Sequence, residues 1–250
     1  MINHTIQQMI KPLFFLLVTL PLLAQKKIKP ELTELWEPVP EVIQPGEANN
    51  PPSDAIVLFD GIDLSKWINS STGQPADWII NPDGSMTVKR DGGIETTEEF
   101  GSVQLHIEWK TPMEINGKGQ GRGNSGVYFQ KTYEIQVLDS YNNITYSNGQ
   151  AASVYKQSIP LVNASKPPGE WQTYDIIFNE PIYDKKGNRL KKGSFTVFHN
   201  GVLVQNNVEI QGTTEYRGYP KLRDIKIPKR LYLQDHGNPV SYRNIWLRKL

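Results

Sequence analysis

Short runs of alternating apolar and polar residues, rather than a helical period, organise the chain from Ala55 onward. The runs that show β character are AIVLF, DWII, SMTVK, SVQLHIEW, SGVYFQ, YEIQVL, TYDIIF, SFTVF, VLVQ, RLYLQ and NIWLRK. Turn signals lie between them at NPDG (81–84), KKGN (185–188) and HNG (199–201). No stretch keeps a 3.6-residue apolar period for more than about two turns. Many short strands with turns roughly 8–12 residues apart predict an antiparallel sandwich or barrel.

The run SVQLHIEW shows the alternation most clearly. Its apolar side chains face one way: Val103, Leu105, Ile107 and Trp109. Its polar side chains face the other way: Gln104, His106 and Glu108. If the sheet curves, the polar face becomes a concave groove, and two stacked curved sheets form a jelly roll. We therefore predict an all-β fold, a jelly-roll sandwich of two antiparallel sheets of the legume-lectin and glucanase type.

Three segments differ in composition. Residues 1–24 contain Lys11, an apolar run from Pro12 to Leu23 and a small residue, Ala24, which predicts a signal peptide cleaved near Ala24. The apolar run is shorter than the ~18 residues of a membrane span. Residues 25–53 are dense in proline and predict an extended arm. Residues 54–250 would then form the jelly-roll domain of a secreted or periplasmic protein, with no transmembrane segment after signal cleavage.

Charge and cysteine content restrict the function. Lys and Arg number 27, Asp and Glu number 26, and the net charge is +1, which disfavours nucleic acid as a partner. The chain has no cysteine, so thiolate chemistry, disulfides and cysteine zinc sites are excluded. We expect no metal and no cofactor. NPDG, RDGG (90–93) and Asp139 offer oxygen ligands for Ca²⁺, but no acidic loop is dense enough to support a calcium-assisted lectin.

The segment GNSGVYFQKTYEIQVLDS (123–140) places polar groups on an otherwise apolar strand pair. Glu134 and Gln136 share one face, and a β-bulge would bring Asp139 onto the same face. Neighbours on one face of a strand are about 6–7 Å apart, which suits two groups acting on one glycosidic bond. Laminarinase-type hydrolases use the related pattern Glu-x-Asp-x-Glu, but this chain has an amide at the middle position.

The C-terminal run ends in Gln234, Asp235 and His236, where a carboxylate next to an imidazole could orient it and raise its basicity. This segment and several others resemble the 3-keto-disaccharide hydrolase domain family, over roughly residues 54 to 250. The similar pieces are LFDGIDLSKW, GNSGVYFQKTYEIQVLDS, VYK, KPPGEWQTYDI, HNGVLV and LQDHGNPVSYRNIWLR. The resemblance implies a concanavalin-like jelly roll and the cleavage of glycosides whose sugar carries a ketone at C3.

Such a ketone acidifies the hydrogen on C2, so a base can remove it and the resulting enolate can expel the C1 substituent before water adds. The site then needs a base, an acid and oxyanion donors. The candidate catalytic residues are Glu134, His236, Asp139 and Glu108. Glu134 or His236 could be the base, and Asp139, Glu108 or Asp235 could be the acid. The candidate substrate-binding residues are Asn124, Gln136, Tyr155, Trp171, Gln234, Asp235 and His106.

Two alternatives remain open at the level of sequence. A jelly roll with aromatic and amide side chains could bind carbohydrate without cleaving it. An ordinary two-carboxylate glycoside hydrolase of laminarinase type would cleave the unoxidised glycoside instead. Convergence of several ionisable groups in one pocket would favour an enzyme.

Overall fold

The structure is a computed structural model that describes residues 28–48, 50–222 and 229–250. The predicted signal segment lies outside the described residues. The chain divides into two compact units, Met1–Val42 and Ile43–Leu250. The described part of the first unit contains one 3₁₀ turn, Pro30–Thr33. All the strands belong to the second unit, and the predicted boundary between residues 53 and 54 stays a prediction.

Fifteen strands run through the described part of the second unit, together with the 3₁₀ turns Gly119–Gly121 and Ser147–Gly149. The strands are β1 (Ile56–Phe59), β2 (Trp67–Asn69), β3 (Ile79–Ile80), β4 (Met86–Thr87), β5 (Ile94–Thr96), β6 (Val103–Lys110), β7 (Ser125–Phe129), β8 (Tyr133–Val137), β9 (Gln172–Asn179), β10 (Ile182–Tyr183), β11 (Arg189–Lys191), β12 (Ser194–His199), β13 (Val202–Glu209), β14 (Tyr232–Leu233) and β15 (Ser241–Lys249). Within the described ranges there is no α-helix, and no helix is long and apolar enough to cross a membrane.

The strands form two antiparallel sheets and a separate hairpin. The large sheet has the order β13-β12-β9-β6-β15-β4-β3, with β1 also paired to β15. The small sheet has the order β2-β5-β14-β7-β8, and β10 pairs with β11 alone. This arrangement confirms the predicted jelly-roll sandwich of two antiparallel sheets. Each of the eleven predicted β runs contains a strand, and the unpredicted strands are β2, β5, β10 and β11.

The apolar faces of the two sheets enclose one hydrophobic core. On β6 the side chains predicted to point inward are all buried, with Leu105 and Ile107 fully inaccessible to solvent. The sheets meet through Phe129 of β7, whose ring centroid lies 4.8 Å from that of Phe178 on β9. Burial of one such side chain contributes about 1.5–3 kcal/mol. The core therefore fixes which way every alternate side chain of these strands points.

The predicted turns are also present. The turn between β12 and β13 places Asn200 and Gly201 at φ values of 52° and 77°, in the left-handed region that asparagine and glycine tolerate best. At NPDG, the Gly84 amide donates to the Asn81 carbonyl at 3.0 Å. These local choices join neighbouring strands tightly and leave the longer connections to form the surface around β7 and β8.

Candidate active site

The hairpin of β7 and β8 sets the position of the central carboxyl group. Tyr128 pairs with Glu134, and Gly126 pairs with Gln136. Their neighbours along the strands, such as Ile135, point into the core and are fully buried. Because side chains alternate along a strand, these four residues point to the outer face of the small sheet, away from the large sheet.

A pocket of about 160 Å³ opens on this outer face. We call it the Glu134 pocket. It is lined by Asn124, Tyr128, Glu134, Gln136, Tyr155, Thr214, Tyr216, Gln234 and His236. Strands of the small sheet supply its floor, whereas the loop residues Thr214 and Tyr216 and the segment after β14 supply its wall.

Glu134 is the buried acid of this pocket, with only 3% of the residue exposed. The Tyr128 hydroxyl donates to Glu134 Oε2 at 2.8 Å, and the Glu134 amide donates to Thr214 Oγ1 at 3.0 Å. With its amide nitrogen turned towards Glu134, Gln136 donates to Glu134 Oε1 at 2.9 Å; turned the other way, it donates to Gln120 Oε1 at 3.0 Å. Tyr128 therefore holds the carboxyl group at Oε2, and in the first orientation Gln136 also holds it at Oε1.

The environment of Glu134 favours the neutral, protonated form of its carboxyl group. Burial disfavours its charged form and raises its pKa from 4.5 to about 8, although the hydrogen bond from Tyr128 acts in the opposite direction. A carboxyl group with a pKa close to the working pH is suited to taking up and releasing a proton during a reaction. Burial likewise raises the pKa of Tyr128 and of Tyr155 above the ordinary range, so both phenols stay protonated and can donate hydrogen bonds.

Gly126 leaves the space that Glu134 occupies. A Cβ atom added at Gly126 would lie 2.6 Å from Glu134 Oε1 and 2.8 Å from a ring carbon of Tyr128. Contacts this short require the side chains to move. A glycine inside a strand is otherwise unfavourable, and here it allows the carboxyl group to lie flat against the hairpin.

A larger cavity of about 540 Å³ adjoins the Glu134 pocket, and we call it the adjoining cavity. It is lined by Gln120, Gly121, Asn124, Tyr146, Tyr155, Lys156, Tyr216, Arg217 and His236. Four of these residues also line the Glu134 pocket: Asn124, Tyr155, Tyr216 and His236. A volume of this size is within the ~300–1,000 Å³ typical of small-molecule sites.

The structure brings six of the predicted site residues together around this pocket: Glu134, His236, Gln136, Asn124, Tyr155 and Gln234. Gln234 Nε2 donates to the Tyr128 hydroxyl at 3.3 Å, which links β14 to the hairpin. The Tyr155 hydroxyl forms a hydrogen bond of 2.7 Å with that of Tyr146. His236 is exposed at the boundary between the pocket and the adjoining cavity.

Asp139 and Asp235 do not join this group. Asp139 lines a separate cavity, and its Oδ2 accepts a 2.6 Å hydrogen bond from Arg122 Nε. The prediction that a bulge turns Asp139 into the groove is wrong, because β8 ends at Val137 and Arg122 holds the carboxylate beyond the strand end. Asp235 accepts hydrogen bonds from the amides of Gly92 and Gly237, so it fixes the local backbone rather than the His236 ring.

Glu108, His106 and Trp171 lie on the opposite side of the sandwich. Since the apolar side chains of β6 and β8 share one core, the polar side chains of β6 must point out from the large sheet while Glu134 points out from the small one. The prediction that the polar face of β6 lines the same groove is therefore wrong. The guanidinium carbon of Arg243 lies over Trp171, 4.1 Å from the centroid of the Trp171 ring.

His106 and Glu108 form an ion-pair network there. Burial opposes the charge on His106, but the hydrogen bond with Asp175 and the nearby carboxylate of Glu108 outweigh it and raise the His106 pKa to about 9. Burial also opposes the charge on Glu108, yet the nearby His106 and hydrogen bonds from Asn244 and Arg243 lower its pKa to about 2. His106 Nδ1 lies 2.7 Å from Asp175 Oδ1. These groups neutralise one another, which is typical of a structural network.

Sequence reasoning missed several pocket residues. Tyr128 could have been predicted from the sequence, since the hairpin register alone places it opposite Glu134. Thr214 and Tyr216 carried no local signal, because they reach the pocket from a loop about 80 residues further along the chain than Glu134. Among the described residues, no group of three or more histidine or acidic side chains could hold a metal ion.

Comparison with known proteins identifies the family. The 3-keto-alpha-glucoside-1,2-lyase-like domain family matches residues 54–248, and the chain belongs to it. The resemblance seen in the sequence is thus confirmed. No match was found among curated proteins.

Solved structures support the same assignment. A candidate glycosyl hydrolase from Parabacteroides distasonis ATCC 8503 is 48% identical with a TM-score of 0.84, over 89% of this chain and 97% of that one. A second candidate glycosyl hydrolase from this organism is 21% identical with a TM-score of 0.57, over 79% of this chain and 94% of that one, and shows the fold alone. The chain is thus similar to carbohydrate-active enzymes.

Proposed function

We propose that the protein cleaves glycosides whose sugar is oxidised to a ketone at C3, by removal of the C2 proton and elimination of the C1 substituent. Family membership supports the substrate class. The observation that carries the mechanism is the buried carboxyl group of Glu134 in the pocket, whose pKa is raised to about 8. A proton-transfer group with such a pKa fits abstraction of a carbon acid at mildly alkaline or neutral pH.

The shortage of carboxyl groups argues against ordinary glycoside hydrolysis. Two-carboxylate mechanisms need a second acid about 5–9.5 Å from the first. Among the described residues that line the Glu134 pocket and the adjoining cavity, Glu134 is the one carboxylic acid. Asp139 is bound to Arg122 in another cavity, and Glu108 is on the far side of the sandwich. Elimination from a 3-keto sugar requires one base and no carboxylate nucleophile.

The proposed reaction transfers one proton from C2 to Glu134 and one from His236 to the leaving oxygen. The Glu134 carboxylate takes the proton from C2, and the C–H electron pair forms a C2–C3 double bond as the ketone oxygen becomes an enolate. Hydrogen bonds from Tyr155, Asn124 or Gln234 stabilise this oxyanion. The enolate reforms the ketone, the electrons move to C1–C2, and the C1–O bond breaks with a proton supplied to the leaving oxygen by His236. Addition of water to the double bond then gives the free 3-keto sugar.

A carbohydrate-binding module would not explain this pocket. Burial of a carboxyl group that lacks a cationic partner costs stability, and binding alone would be served equally well by an amide. Glu134, His236 and Tyr155, in contrast, each have a role in the proposed elimination.

The central test is the Glu134→Gln variant on a 3-keto glycoside. Loss of a general acid–base group lowers the rate by roughly 10²–10⁴-fold, and we expect a decrease of that size. Glu95→Gln is the matched control, because Glu95 is a buried acid of the same sheet that pairs with Arg230 and Lys131 outside the pocket. The parent glycoside should not be turned over. Full activity of Glu134→Gln on the 3-keto glycoside would remove Glu134 from the mechanism.

Isotopic labelling at C2 tests elimination directly. A substrate with deuterium at C2 should react more slowly, and the product formed in D₂O should carry solvent deuterium at C2. Cleavage with neither an isotope effect nor exchange would indicate direct displacement at C1 and would contradict the proposal.

A further inference from the structure

The adjoining cavity differs in character from the Glu134 pocket. Its lining includes the tyrosines Tyr146, Tyr155 and Tyr216 and the cationic side chains Lys156 and Arg217. None of its described lining residues is acidic. A concave surface that combines aromatic rings with positive charge is suited to a flat or ring-shaped group that carries a negative charge.

Lys156 is the central cation of this cavity. It is half-buried and has a φ of 56°, so its backbone is held in the left-handed region. Its Nζ lies 4.7 Å from the ring centroid of Tyr216 and 5.6 Å from those of Tyr146 and Tyr155. Nζ also donates to the Tyr216 carbonyl. These partners orient the ammonium group without neutralising it, and no described carboxylate forms an ion pair with it.

Arg217 adds a second positive charge at the rim. It is exposed, and its guanidinium carbon lies 5.8 Å from the ring centroid of Tyr216. Because exposed charges are screened within about 8–10 Å at ordinary ionic strength, Arg217 contributes less to the field in the cavity than the half-buried Lys156.

We propose that the adjoining cavity binds the leaving group of the glycoside and selects leaving groups that carry a negative charge, with Lys156 as the specificity-determining residue. This inference rests on the proposed function. The cavity shares Tyr155 and His236 with the Glu134 pocket, so a group attached to C1 of a sugar in that pocket extends into it. Tyr146 and Tyr216 offer ring faces to the group, and the ammonium of Lys156 pairs with its charge.

A pair of substrates that differ in one charge tests this selection. We would compare kcat/KM for the 4-carboxyphenyl and 4-carbamoylphenyl 3-keto-glucosides, which have the same shape. Hydrogen bonds to charged groups are strong enough to give roughly ten- to a hundredfold preference for the carboxylate. In Lys156→Met this preference should fall close to one, and high salt should reduce it in the wild type. Lys191→Met, which removes an exposed lysine of β11, is the matched control and should keep the preference.

A binding measurement separates this inference from the proposed function. We expect 4-hydroxybenzoate to bind the wild-type protein more tightly than 4-hydroxybenzamide in calorimetry, and Lys156→Met to lose the difference. Equal affinity for the two compounds, or an unchanged difference in Lys156→Met, would overturn the selection even if both glucosides are cleaved. If the binding difference is found and neither glucoside is cleaved, the proposed function fails and the anion selectivity stands.

Discussion

At the scale of single residues, Glu134 couples the stability of the protein to pH. Its pKa is about 8 in the folded chain and close to the ordinary 4.5 when the chain unfolds. Between these two values the folded chain keeps a proton that the unfolded chain has released. The contribution of Glu134 to stability therefore falls as pH rises through this window and is constant above it.

Replacement of Glu134 by glutamine should remove this pH dependence. We expect Glu134→Gln and the wild type to melt at similar temperatures at pH 5, and the variant to melt higher at pH 8. The difference in unfolding free energy should grow by at most about 1.4 kcal/mol per pH unit across the window. Scanning calorimetry at both pH values is the measurement. Melting curves that stay parallel from pH 5 to 8 would show that Glu134 is charged in the folded protein.

The same pKa predicts the pH dependence of turnover. If the Glu134 carboxylate is the base, only the ionised fraction reacts, so kcat/KM on a 3-keto glycoside should rise with pH and level off above about 8. Initial rates from pH 5 to 9 would measure this profile. Activity that declines as pH passes through 8 would instead assign Glu134 the role of the acid.

Gly126 provides a second residue-scale prediction. In Gly126→Ala the new methyl group displaces the carboxyl group of Glu134, and we expect a loss of activity of at least about tenfold, because small misplacements of reacting groups lower rates strongly. Gly101→Ala is a matched control: its added Cβ would lie 2.6 Å from Glu180 Oε1, but Glu180 is outside the pocket. At a temperature where both variants are folded, Gly126→Ala should be less active than Gly101→Ala. Equal activities would contradict the placement of the Glu134 carboxyl group against Gly126.

At the scale of the elements, the hairpin of β7 and β8 marks how far the sequence predicts the site. Alternation predicted both strands, and it correctly placed Glu134 and Gln136 on one face. It did not predict the position of Asp139 outside the Glu134 pocket, because a strand pattern contains no signal for the residue at which strand pairing stops. Beyond the end of β8, Asp139 is held by Arg122, which reaches it from the loop before β7. That contact between distant segments has no periodicity to reveal it.

The ion pair of Arg122 with Asp139 should therefore be structural. Both side chains are largely buried, with 11% and 3% of their surface exposed. Loss of one partner from a buried pair costs about 3–5 kcal/mol, because the other charge is left without compensation. We expect Asp139→Asn to lower the unfolding free energy in urea by an amount of this order and to retain most of its turnover when folded. Stability close to that of the wild type together with lost turnover would return Asp139 to the list of catalytic candidates.

At the scale of the whole molecule, the sandwich has two outer faces, and the sequence alone does not distinguish them. The polar face of β6 and the polar face of β8 have the same alternation, and both contain a glutamate. Which of them lines a pocket depends on the loops that lie over each sheet, and these come from far along the chain. The sequence thus predicts the fold and most of the pocket residues, but not that Glu108 and Glu134 are on opposite sides.

His106 offers a test of the placement of Glu108 and Glu134 on opposite outer faces of the sandwich. Its folded pKa of about 9 lies above the ordinary 6.5, so its contribution to stability is complete below pH 6.5 and is lost as pH rises through 9. His106→Gln should therefore be less stable than the wild type at pH 6, with the difference shrinking by pH 9.5. Its turnover should stay near that of the wild type. Chemical denaturation at both pH values, with parallel rate measurements, would check both expectations, and lost turnover in stable protein would contradict the two-face arrangement.

The division of the pocket between strands and loops has a consequence for evolution and for engineering. The proposed base Glu134 and the two side chains that contact its carboxyl group, Tyr128 and Gln136, belong to strands whose other face forms the hydrophobic core. Lys156, Tyr216 and Arg217 belong to connections outside the strands. Because loops tolerate substitution and insertion far better than core strands, the preference for a leaving group can diversify while the base and its strand partners are inherited unchanged. A library confined to these connections would sample new substrates without endangering the fold.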